Sequence, residues 1–600
     1  MRCTIVVAAV LSATGAVAQQ ATDAIAPEAA SVAGSGLSPA FAGLSTPALA
    51  ALADKEARRP VKGQEWMVAA AHPAAVEAGA KILDAGGTAA DAMVAVQTVL
   101  GLVEPQSSGI GGGAFLVWYD AASGQLTTLD AREKAPAAAT PTLFLDDAGE
   151  PLSFMDAVVG GRSVGVPGTP ALLEEAHRRW GRANWGTLFE PAIALAENGF
   201  AVSPRLAGLV AGSAEQLARD PDTAAYFLPG GTPVAEGTVI RNPRYAGTLR
   251  GLAMDGADYF YHGPNASALV DKVRGAEWNP GVMTLDDLAA YRVVERPPVC
   301  VTYRAHDVCG MGPPSSGALT LGQILGMLSG HDLAALGPVN PESWRLIGDA
   351  SRLAFADRER YMADSDFVPV PTSGLVDPDY LADRARLLDS EKALPEVEAG
   401  TPTFQHAMLW GRDNSIEIPS TSHISIVDRY GNALAMTTTI EGGFGSHLMA
   451  NGYLLNNELT DFSFRTHDKG WPVANRVEPN KRPRSSMAPT IVLKDGKPVM
   501  VTGSPGGSRI IGYVAKAVIA QLDWGMDPQQ AAAVPNLVNR FGKFDVEQGT
   551  TAEGLIGPLT GLGFEVAPAE LTSGLHTIVI GPGGLLGGAD PRREGIALGK

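Results

Sequence analysis

Three consecutive hydroxyl residues, Ser420, Thr421 and Ser422, stand where a long irregular stretch meets an alternating β-type pattern. The run HISIVD, then RYGN, then ALAMTTT predicts a β-hairpin that turns at RYGN. A hydroxyl at the start of a strand becomes a nucleophile if the chain is cut just before it, because the new α-amine can act as its general base. This N-terminal threonine chemistry needs no histidine. The plain alternative is that the three hydroxyls belong to a loop or turn.

Two successive glycines form a second candidate for chemistry. Gly506 and Gly507 follow Pro505 in TGSPGGSR (502–509). Backbone N–H groups at such a position can form a nest that holds an oxyanion. Taken alone, a Pro-Gly-Gly sequence also fits a plain turn.

Further strings place polar residues beside apolar runs. They are TTTIEGGFG with Thr439 and Glu441, GYLLNNELTDFSF with Glu458 and Asp461, KRPRSSMAPTIV with Ser485 and Ser486, and DAREKAP with Arg132. Taken alone, Arg132 at a strand end fits a surface ion-pair partner. His423 falls within the alternating run, and we interpret it as a strand residue rather than a base. The other histidines lack metal-ligand spacing, so no metal site is expected.

Together these strings resemble the γ-glutamyltranspeptidase (glutathione hydrolase) family of N-terminal-nucleophile hydrolases, over about residues 62 to 595. The matching strings are DAREKAP (130–136), PPSSG (313–317), TSHISIVDRYGNA (421–433), LLNNELTDFS (454–463), KRPRSSMAPT (481–490) and TGSPGGSR (502–509). The resemblance implies an α+β fold, a four-layer αββα sandwich of the N-terminal-nucleophile hydrolase type. It also implies a self-processing enzyme without a cofactor. Such an enzyme takes a γ-glutamyl group from glutathione or another γ-glutamyl compound and passes it to water, an amino acid or a dipeptide.

The resemblance also implies a role for each matched residue. Thr421 would be both the processing residue and the nucleophile, with cleavage between Ser420 and Thr421, and Thr439 would hold it in place. Gly506 and Gly507 would stabilise the oxyanion. The donor's α-carboxylate would be bound by Arg132, Ser485 and Ser486, and its α-ammonium by Glu458 and Asp461. Cleavage would give a heterodimer in which a large subunit, 63–420, and a small subunit, 421–600, build one core.

Two departures from the family pattern bear on specificity. Glu441 stands where the family commonly has asparagine, and Glu458 where many members have glutamine. Three carboxylates would then face one ammonium, and one could be protonated in the empty site. The loop Phe462–Arg484 is of intermediate length, so the lid that some members place over the site would be short.

The whole chain has the composition of a globular protein with a substantial core, with 45% hydrophobic and 18% charged residues in 600. Its net charge of -18 argues against nucleic acid or an anionic membrane as the main partner. The N-terminus has an early Arg2, an apolar stretch and small residues up to Ala18, which predicts a signal peptide over 1–18. We therefore expect a periplasmic or secreted protein with no membrane contact after signal removal, and a poorly ordered leader over 19–62.

Several elements are predicted around these strings. The clearest helices lie in HPAAVEAGAKILDAGG, TAADAMVAVQTVLGLVEP and NPESWRLIGDASRLAFADRERYMAD, and a strand pair lies in AFLVWYDAASGQLTTLDAREKAP. Residues from about 395 to 420 read as a loop. Cys300 and Cys309 would face each other across a short hairpin that turns near Arg304 and Ala305, within reach of a disulfide; two buried free thiols are the alternative.

Two other functions fit parts of this pattern. The first is a related acylase that removes a glutaryl-type side chain from β-lactams. Glutaryl lacks the α-ammonium, which would leave Glu441, Glu458 and Asp461 without a partner. The second is a catalytically dead envelope protein that uses the fold for binding, against which the intact Thr421 and Thr439 argue.

Overall fold

A computed structural model of the chain describes residues 38–406 and 409–600. The predicted signal peptide and the first part of the predicted leader lie outside these residues. Within them, no helix is both long enough and apolar enough to span a membrane.

Twenty-three strands are assigned in the described residues. They are β1 Val61–Gly63, β2 Met67–Ala70, β3 Gly113–Asp120, β4 Gln125–Ala131, β5 Phe200–Ala201, β6 Val239–Ile240, β7 Val294–Arg296, β8 Val299–Tyr303, β9 His306–Gly310, β10 Ser422–Val427, β11 Ala433–Thr439, β12 Met449–Ala450, β13 Tyr453–Leu454, β14 His467–Asp468, β15 Trp471–Pro472, β16 Thr490–Lys494, β17 Lys497–Gly503, β18 Leu537–Asn539, β19 Lys543–Glu547, β20 Glu565–Ala569, β21 His576–Gly581, β22 Gly584–Ala589 and β23 Ile596–Gly599.

The α-helices of the described residues are mostly short. They span Thr46–Glu56, Pro73–Asp84, Ala89–Val103, Phe154–Val158, Thr169–Trp180, Glu190–Asn198, Pro204–Gly212, Ala214–Leu217, Pro221–Phe227, Pro243–Asp255, Asp258–Tyr261, Gly263–Arg274, Leu285–Ala289, Gly317–Leu328, Leu333–Leu336, Pro341–Tyr361, Thr372–Leu375, Pro378–Ala385, Ile510–Leu522, Pro528–Ala533 and Ile556–Gly561.

Two seven-stranded antiparallel sheets form the centre of the molecule. Their strand orders are β1-β22-β21-β17-β16-β9-β8 and β23-β2-β10-β11-β3-β4-β7. A buried cluster including Val117, Ile491 and Ile578 packs between the sheets. Helices such as Ala89–Val103 cover the outer face of the second sheet, and helices such as Ile510–Leu522 cover that of the first. The order helix, sheet, sheet, helix is the expected four-layer αββα sandwich of an α+β protein.

The predicted hairpin lies at the centre of the second sheet. β10 pairs with β11 from Ser422 opposite Thr438 to Val427 opposite Ala433, and every residue of both strands is buried. The Asp428 carboxylate closes the turn by accepting the N–H groups of Tyr430 (2.9 Å) and Asn432 (3.0 Å). This register brings the start of β10 and the end of β11 together at the open end of the hairpin, opposite the turn.

Other predicted elements also appear where the sequence signals them. Helix Ala89–Val103 begins with a capping box between Thr88 and Asp91, and helix Pro341–Tyr361 begins at the Asn340 cap. Residues 390–420 contain no helix or strand among those described. The hairpin of β8 and β9 pairs Cys300 with Cys309, as the spacing predicts, and a disulfide joins them.

The prediction of a poorly ordered leader is wrong for residues 38–62. Helix Thr46–Glu56 buries Ala48 and Ala51 against the core, and the Lys55 ammonium donates to the carbonyls of Arg593 (2.8 Å) and Gly595 (2.7 Å). β1 then pairs with β22. The alanine-rich composition suggested a flexible segment, but alanine is also the best helix former, and its small side chain lets this helix pack closely.

Candidate active site

The two hydroxyls that flank the hairpin opening lie in contact. Thr421 immediately precedes β10 and Thr439 ends β11, and their Oγ1 atoms are 3.1 Å apart. The Thr439 oxygen also accepts the backbone N–H of Glu441 at 2.8 Å. Thr421 has a φ of 90°, which is unfavourable for a β-branched residue. The structure therefore holds Thr421 in a strained conformation that the neighbouring elements impose.

The carbonyl group before Thr421 accepts a backbone hydrogen bond. The chain is continuous from Ser420 to Thr421, and the Gly506 N–H donates to the Ser420 carbonyl oxygen at 3.0 Å. Gly506 and Gly507 both have positive φ values, 133° and 54°. A Cβ at Gly507 would meet the Ile418 carbonyl oxygen at 2.8 Å, so the close approach there favours glycine. A developing negative charge on the Ser420 oxygen would thus be stabilised where it forms.

Most of the residues predicted for the site line a single cavity. Its walls are Arg132, Glu417, Ile418, Thr421, Thr439, Glu441, Glu458, Asp461, Ser485, Ser486, Met487, Gly507 and Ile510. Ser420 and Gly506 join this group through the bond between them. Residues more than 350 positions apart in the chain are therefore brought together, as Arg132 and Ser486 illustrate.

Arg132 is buried beside the acidic wall, the part of the cavity lining formed by Glu441, Glu458 and Asp461. Its guanidinium pairs with the carboxylates of Glu458 and Asp461, and it also donates to the carbonyl oxygens of Pro483 (3.2 Å) and Arg484 (2.7 Å). Arg132 is 1% exposed, so the surface ion-pair alternative is wrong. The guanidinium is fixed in a plane by four partners, a geometry that lysine cannot reproduce.

The three acidic residues that are expected to lie near the donor's α-ammonium all line this cavity. Burial is the main reason that the pKa of each carboxyl, in Glu441, Glu458 and Asp461, lies well above its ordinary value. The Glu441 carboxyl accepts the Ile418 N–H at 3.1 Å and a hydrogen bond from the Asn457 side-chain amide. The site therefore concentrates acidic groups that a buried cation would allow to ionise.

Sequence reasoning missed a fourth buried acid, Glu133. It is fully buried next to Arg132, and burial raises its pKa to about 7. Neither of its two carboxyl oxygens has a hydrogen-bond partner within the described part of the chain. Its place in DAREKAP beside Arg132 was the available signal.

The two serines are held by a neighbouring loop and a long helix. Ser316, in PPSSG, donates through its Oγ to the Ser485 carbonyl oxygen at 2.7 Å. The Ser486 Oγ accepts from Arg358 at 2.7 Å, and Arg358 lies on helix Pro341–Tyr361. Sequence reasoning also missed Arg358 and its partner Glu417. No spacing signal links them, because 59 residues separate the two.

His423 has no part in this cavity. Its ring lies in β10 between the hydroxyls of Thr437 (2.9 Å) and Ser425 (3.0 Å). Burial, with a smaller effect from His576, lowers its pKa well below the ordinary value, so the imidazole is neutral. It is the strand residue that the alternation indicates. Within the described part of the chain, no group of acidic, histidine or cysteine side chains is placed to hold a metal ion.

The loop Phe462–Arg484 lies against the segment that precedes Thr421. It contains the short pair β14 and β15, and its Pro472 carbonyl accepts the Gly411 N–H at 2.9 Å. At its end, Arg484 pairs with Asp413 at 2.9 Å and donates to the Ser415 Oγ at 2.8 Å. Glu417 and Ile418 of the preceding segment line the cavity, whereas no residue of the loop Phe462–Arg484 does.

Comparison with known proteins assigns the chain to one family. The family model for Gamma-glutamyltranspeptidase matches residues 75–600. A Bacillus subtilis (strain 168) protein, glutathione hydrolase proenzyme, is 38% identical over 569 residues, which cover 91% of this chain and 94% of that protein. The protein of the same name from Escherichia coli (strain K12) is 36% identical and covers 90% of this chain and 92% of its own length. Among solved structures, cephalosporin acylase from Bacillus halodurans superposes with a TM-score of 0.79 at 26% identity, covering 90% of this chain and 97% of that one.

Proposed function

The chain belongs to the γ-glutamyltranspeptidase family, and on that premise we propose that it is a self-processing γ-glutamyltransferase and glutathione hydrolase. The observation that carries this proposal is the contact geometry at Thr421. The Thr421 hydroxyl, its partner Thr439 and a backbone donor on the adjacent carbonyl meet in a cavity walled by one arginine and four carboxyl groups.

That geometry supports a specific processing reaction. The Thr421 hydroxyl attacks the Ser420 carbonyl carbon, and the Gly506 N–H stabilises the oxyanion. The Ser420–Thr421 C–N bond breaks, the nitrogen takes the hydroxyl proton, and an ester remains on the Thr421 oxygen. Water hydrolyses the ester, which leaves a carboxylate on Ser420 and frees the Thr421 amine and hydroxyl.

Turnover uses the same atoms on a substrate. The freed Thr421 amine accepts the hydroxyl proton while the oxygen attacks the γ-carbonyl of a γ-glutamyl compound such as glutathione. The leaving amine takes that proton, and the acyl group stays on the Thr421 oxygen until water, an amino acid or a dipeptide removes it. Arg132 with Ser485 and Ser486 would hold the donor's α-carboxylate, and Glu441, Glu458 and Asp461 its α-ammonium.

The proposed product is a tightly joined heterodimer. β10 and β11, from residues after the cut, lie between β2 and β3, from residues before it. β16, β17, β21 and β22 are likewise flanked by β1 and β9. Separating a 421–600 subunit would break both sheets, so the two chains should stay together after cleavage.

We also propose export through the N-terminal signal, with a periplasmic or secreted mature protein. The disulfide between Cys300 and Cys309 supports this proposal, because such bonds persist in oxidising compartments.

A second candidate function is removal of glutaryl-type side chains, which the similarity to a cephalosporin acylase favours. The acidic wall argues against it. A glutaryl group brings no ammonium, so Glu441, Glu458 and Asp461 would gain no cation beyond Arg132, and the cost of ionising them in the buried site would not be offset.

The two functions separate in one assay of the processed enzyme. γ-Glutamyl-p-nitroanilide should be hydrolysed with a higher kcat/KM than glutaryl-p-nitroanilide, and glycylglycine should accelerate release of nitroaniline by accepting the acyl group. A higher kcat/KM for the glutaryl compound would overturn the proposal. No activity on either, with an uncut chain on a denaturing gel, would favour a binding protein without catalysis.

A further inference from the structure

The carboxylate of Glu417 lies inside the cavity of the uncut chain. Glu417 is four residues before Thr421, and its side chain pairs with the guanidinium of Arg358. A second arginine, Arg484, lies 3.7 Å from the same carboxylate oxygen. Burial opposes ionisation of Glu417, but Arg358 and Arg484 outweigh it and lower its pKa. An ionised carboxylate therefore occupies this wall of the site.

Arg358 does not itself line the cavity but contacts two residues that do, Glu417 and Ser486. Its Nε donates to the Ser316 Oγ at 2.8 Å, and its Nη2 donates to the Ser486 Oγ at 2.7 Å. Arg358 is 1% exposed. The group that holds Glu417 is thus also a direct partner of a serine expected to bind the donor's α-carboxylate.

A donor and the segment Glu417–Ser420 need the same space. The Ile418 N–H donates to Glu441 at 3.1 Å, and the Ile418 carbonyl lies against Gly507, so the segment crosses the cavity. Cleavage releases its end at Ser420, and the segment must withdraw before a donor can reach Thr421. Withdrawal leaves the buried Arg358 guanidinium without its carboxylate partner, which is strongly unfavourable unless another anion takes its place.

We propose that Arg358 and Ser486 form a carboxylate subsite that Glu417 fills in the uncut chain and the donor's α-carboxylate fills after cleavage. The inference rests on the proposed function for the identity of that second ligand. It adds Arg358 as a specificity residue. It also explains how the exchange preserves charge, because one carboxylate replaces another at Arg358 while the donor's ammonium enters among the acidic groups.

The subsite can be tested without any catalytic turnover. In a Thr421→Ala background, which keeps the chain uncut, Glu417→Ala should leave a cavity that acetate fills. Acetate, with chloride at equal ionic strength as the reference, should then raise Tm saturably. Thr421→Ala alone and Thr421→Ala/Glu417→Ala/Arg358→Met should show no such rise. Equal responses of all three variants would overturn the subsite, whether or not the proposed function holds.

The identity of the second ligand is tested on the processed enzyme. 4-Aminobutanoyl-p-nitroanilide has the ammonium of the γ-glutamyl compound but lacks its α-carboxylate. Arg358→Met should lower kcat/KM for γ-glutamyl-p-nitroanilide at least tenfold relative to the aminobutanoyl compound. Arg360→Met, an exposed position on the same helix, should leave both unchanged. Equal loss on both substrates would overturn Arg358 as a carboxylate ligand, and Arg358→Lys provides the same comparison if the methionine variant does not fold.

Discussion

At the scale of single residues, Arg132 has the most constrained environment in the site. Its guanidinium contacts two carboxylates and two carbonyl oxygens while 1% exposed. Lysine keeps the charge and loses the planar fork, so Arg132→Lys should raise KM for a γ-glutamyl donor more than it slows processing. Losing one charge-assisted hydrogen bond costs about 1.5–3 kcal/mol, which corresponds to roughly a tenfold to hundredfold rise. Steady-state kinetics checks this, and a KM equal to wild type would remove Arg132 from donor binding.

Glu441 is, with Glu458, one of two positions at which the sequence departs from the pattern expected of the family. Its carboxyl faces the cavity through the Ile418 N–H and Asn457, so the alternative of a surface ion pair is wrong. Glu441→Asn removes one acidic group and keeps a side chain that can accept the same N–H. The ratio of kcat/KM for glutaryl- over γ-glutamyl-p-nitroanilide should therefore rise, by about tenfold for each 1.4 kcal/mol of lost discrimination. An unchanged ratio would mean that Glu458 and Asp461 bind the donor's ammonium without Glu441.

The raised pKa values of Glu441, Glu458 and Asp461 predict how donor preference depends on pH. These groups attract an ammonium only when ionised. As pH falls through their raised pKa values they take up protons, so a γ-glutamyl donor loses its partners while a glutaryl donor loses a repulsion. The γ-glutamyl preference should therefore decline as pH falls through these raised pKa values. Titration of the Thr421 amine affects both donors and cancels in the ratio, so a flat ratio would contradict this reading.

At the scale of elements, the disulfide closes a hairpin at one edge of the first sheet. Cys300 and Cys309 are nine residues apart, and β8 is the terminal strand of that sheet. Closing so short a loop stabilises by about 2–3 kcal/mol in the chain-entropy account. Cys300→Ser/Cys309→Ser should therefore lower the midpoint of denaturation and leave kcat/KM within about twofold, since neither cysteine lines the cavity. Reductant should shift wild type and not the double variant. A shift of both by the same amount would assign the effect to another cause.

The elements also show what the sequence can and cannot predict here. The hairpin Ser422–Thr439 follows from period-two alternation around a four-residue turn, and the Ala89–Val103 helix from its capping box; both signals are local. Arg358 and Glu417 could not be placed, because their contact depends on how a helix packs beside an irregular segment rather than on any spacing. The leader was misjudged for a related reason, since its alanines are ordered by a core that composition does not reveal.

At the scale of the whole molecule, we propose that the uncut chain is arranged to cleave itself and to exclude substrate until it has done so. The Ser420 carbonyl is bound by Gly506, the Thr421 hydroxyl lies beside Thr439, and Glu417 fills the proposed carboxylate subsite. Residues on both sides of the cut build both sheets, which keeps the site assembled afterwards. One bond cleavage would then create the general base and free the donor pocket at the same time.

The measurement that tests this account most directly is the N-terminal sequence and intact mass of the purified protein, beside the Thr421→Ala variant. The account predicts two chains held together under native conditions, the smaller beginning at Thr421 and comprising the 180 residues 421–600. It predicts a single uncut chain for Thr421→Ala. A smaller chain that begins at any other residue, or an active enzyme that remains uncut, would contradict the assignment of Thr421 as the processing residue and nucleophile.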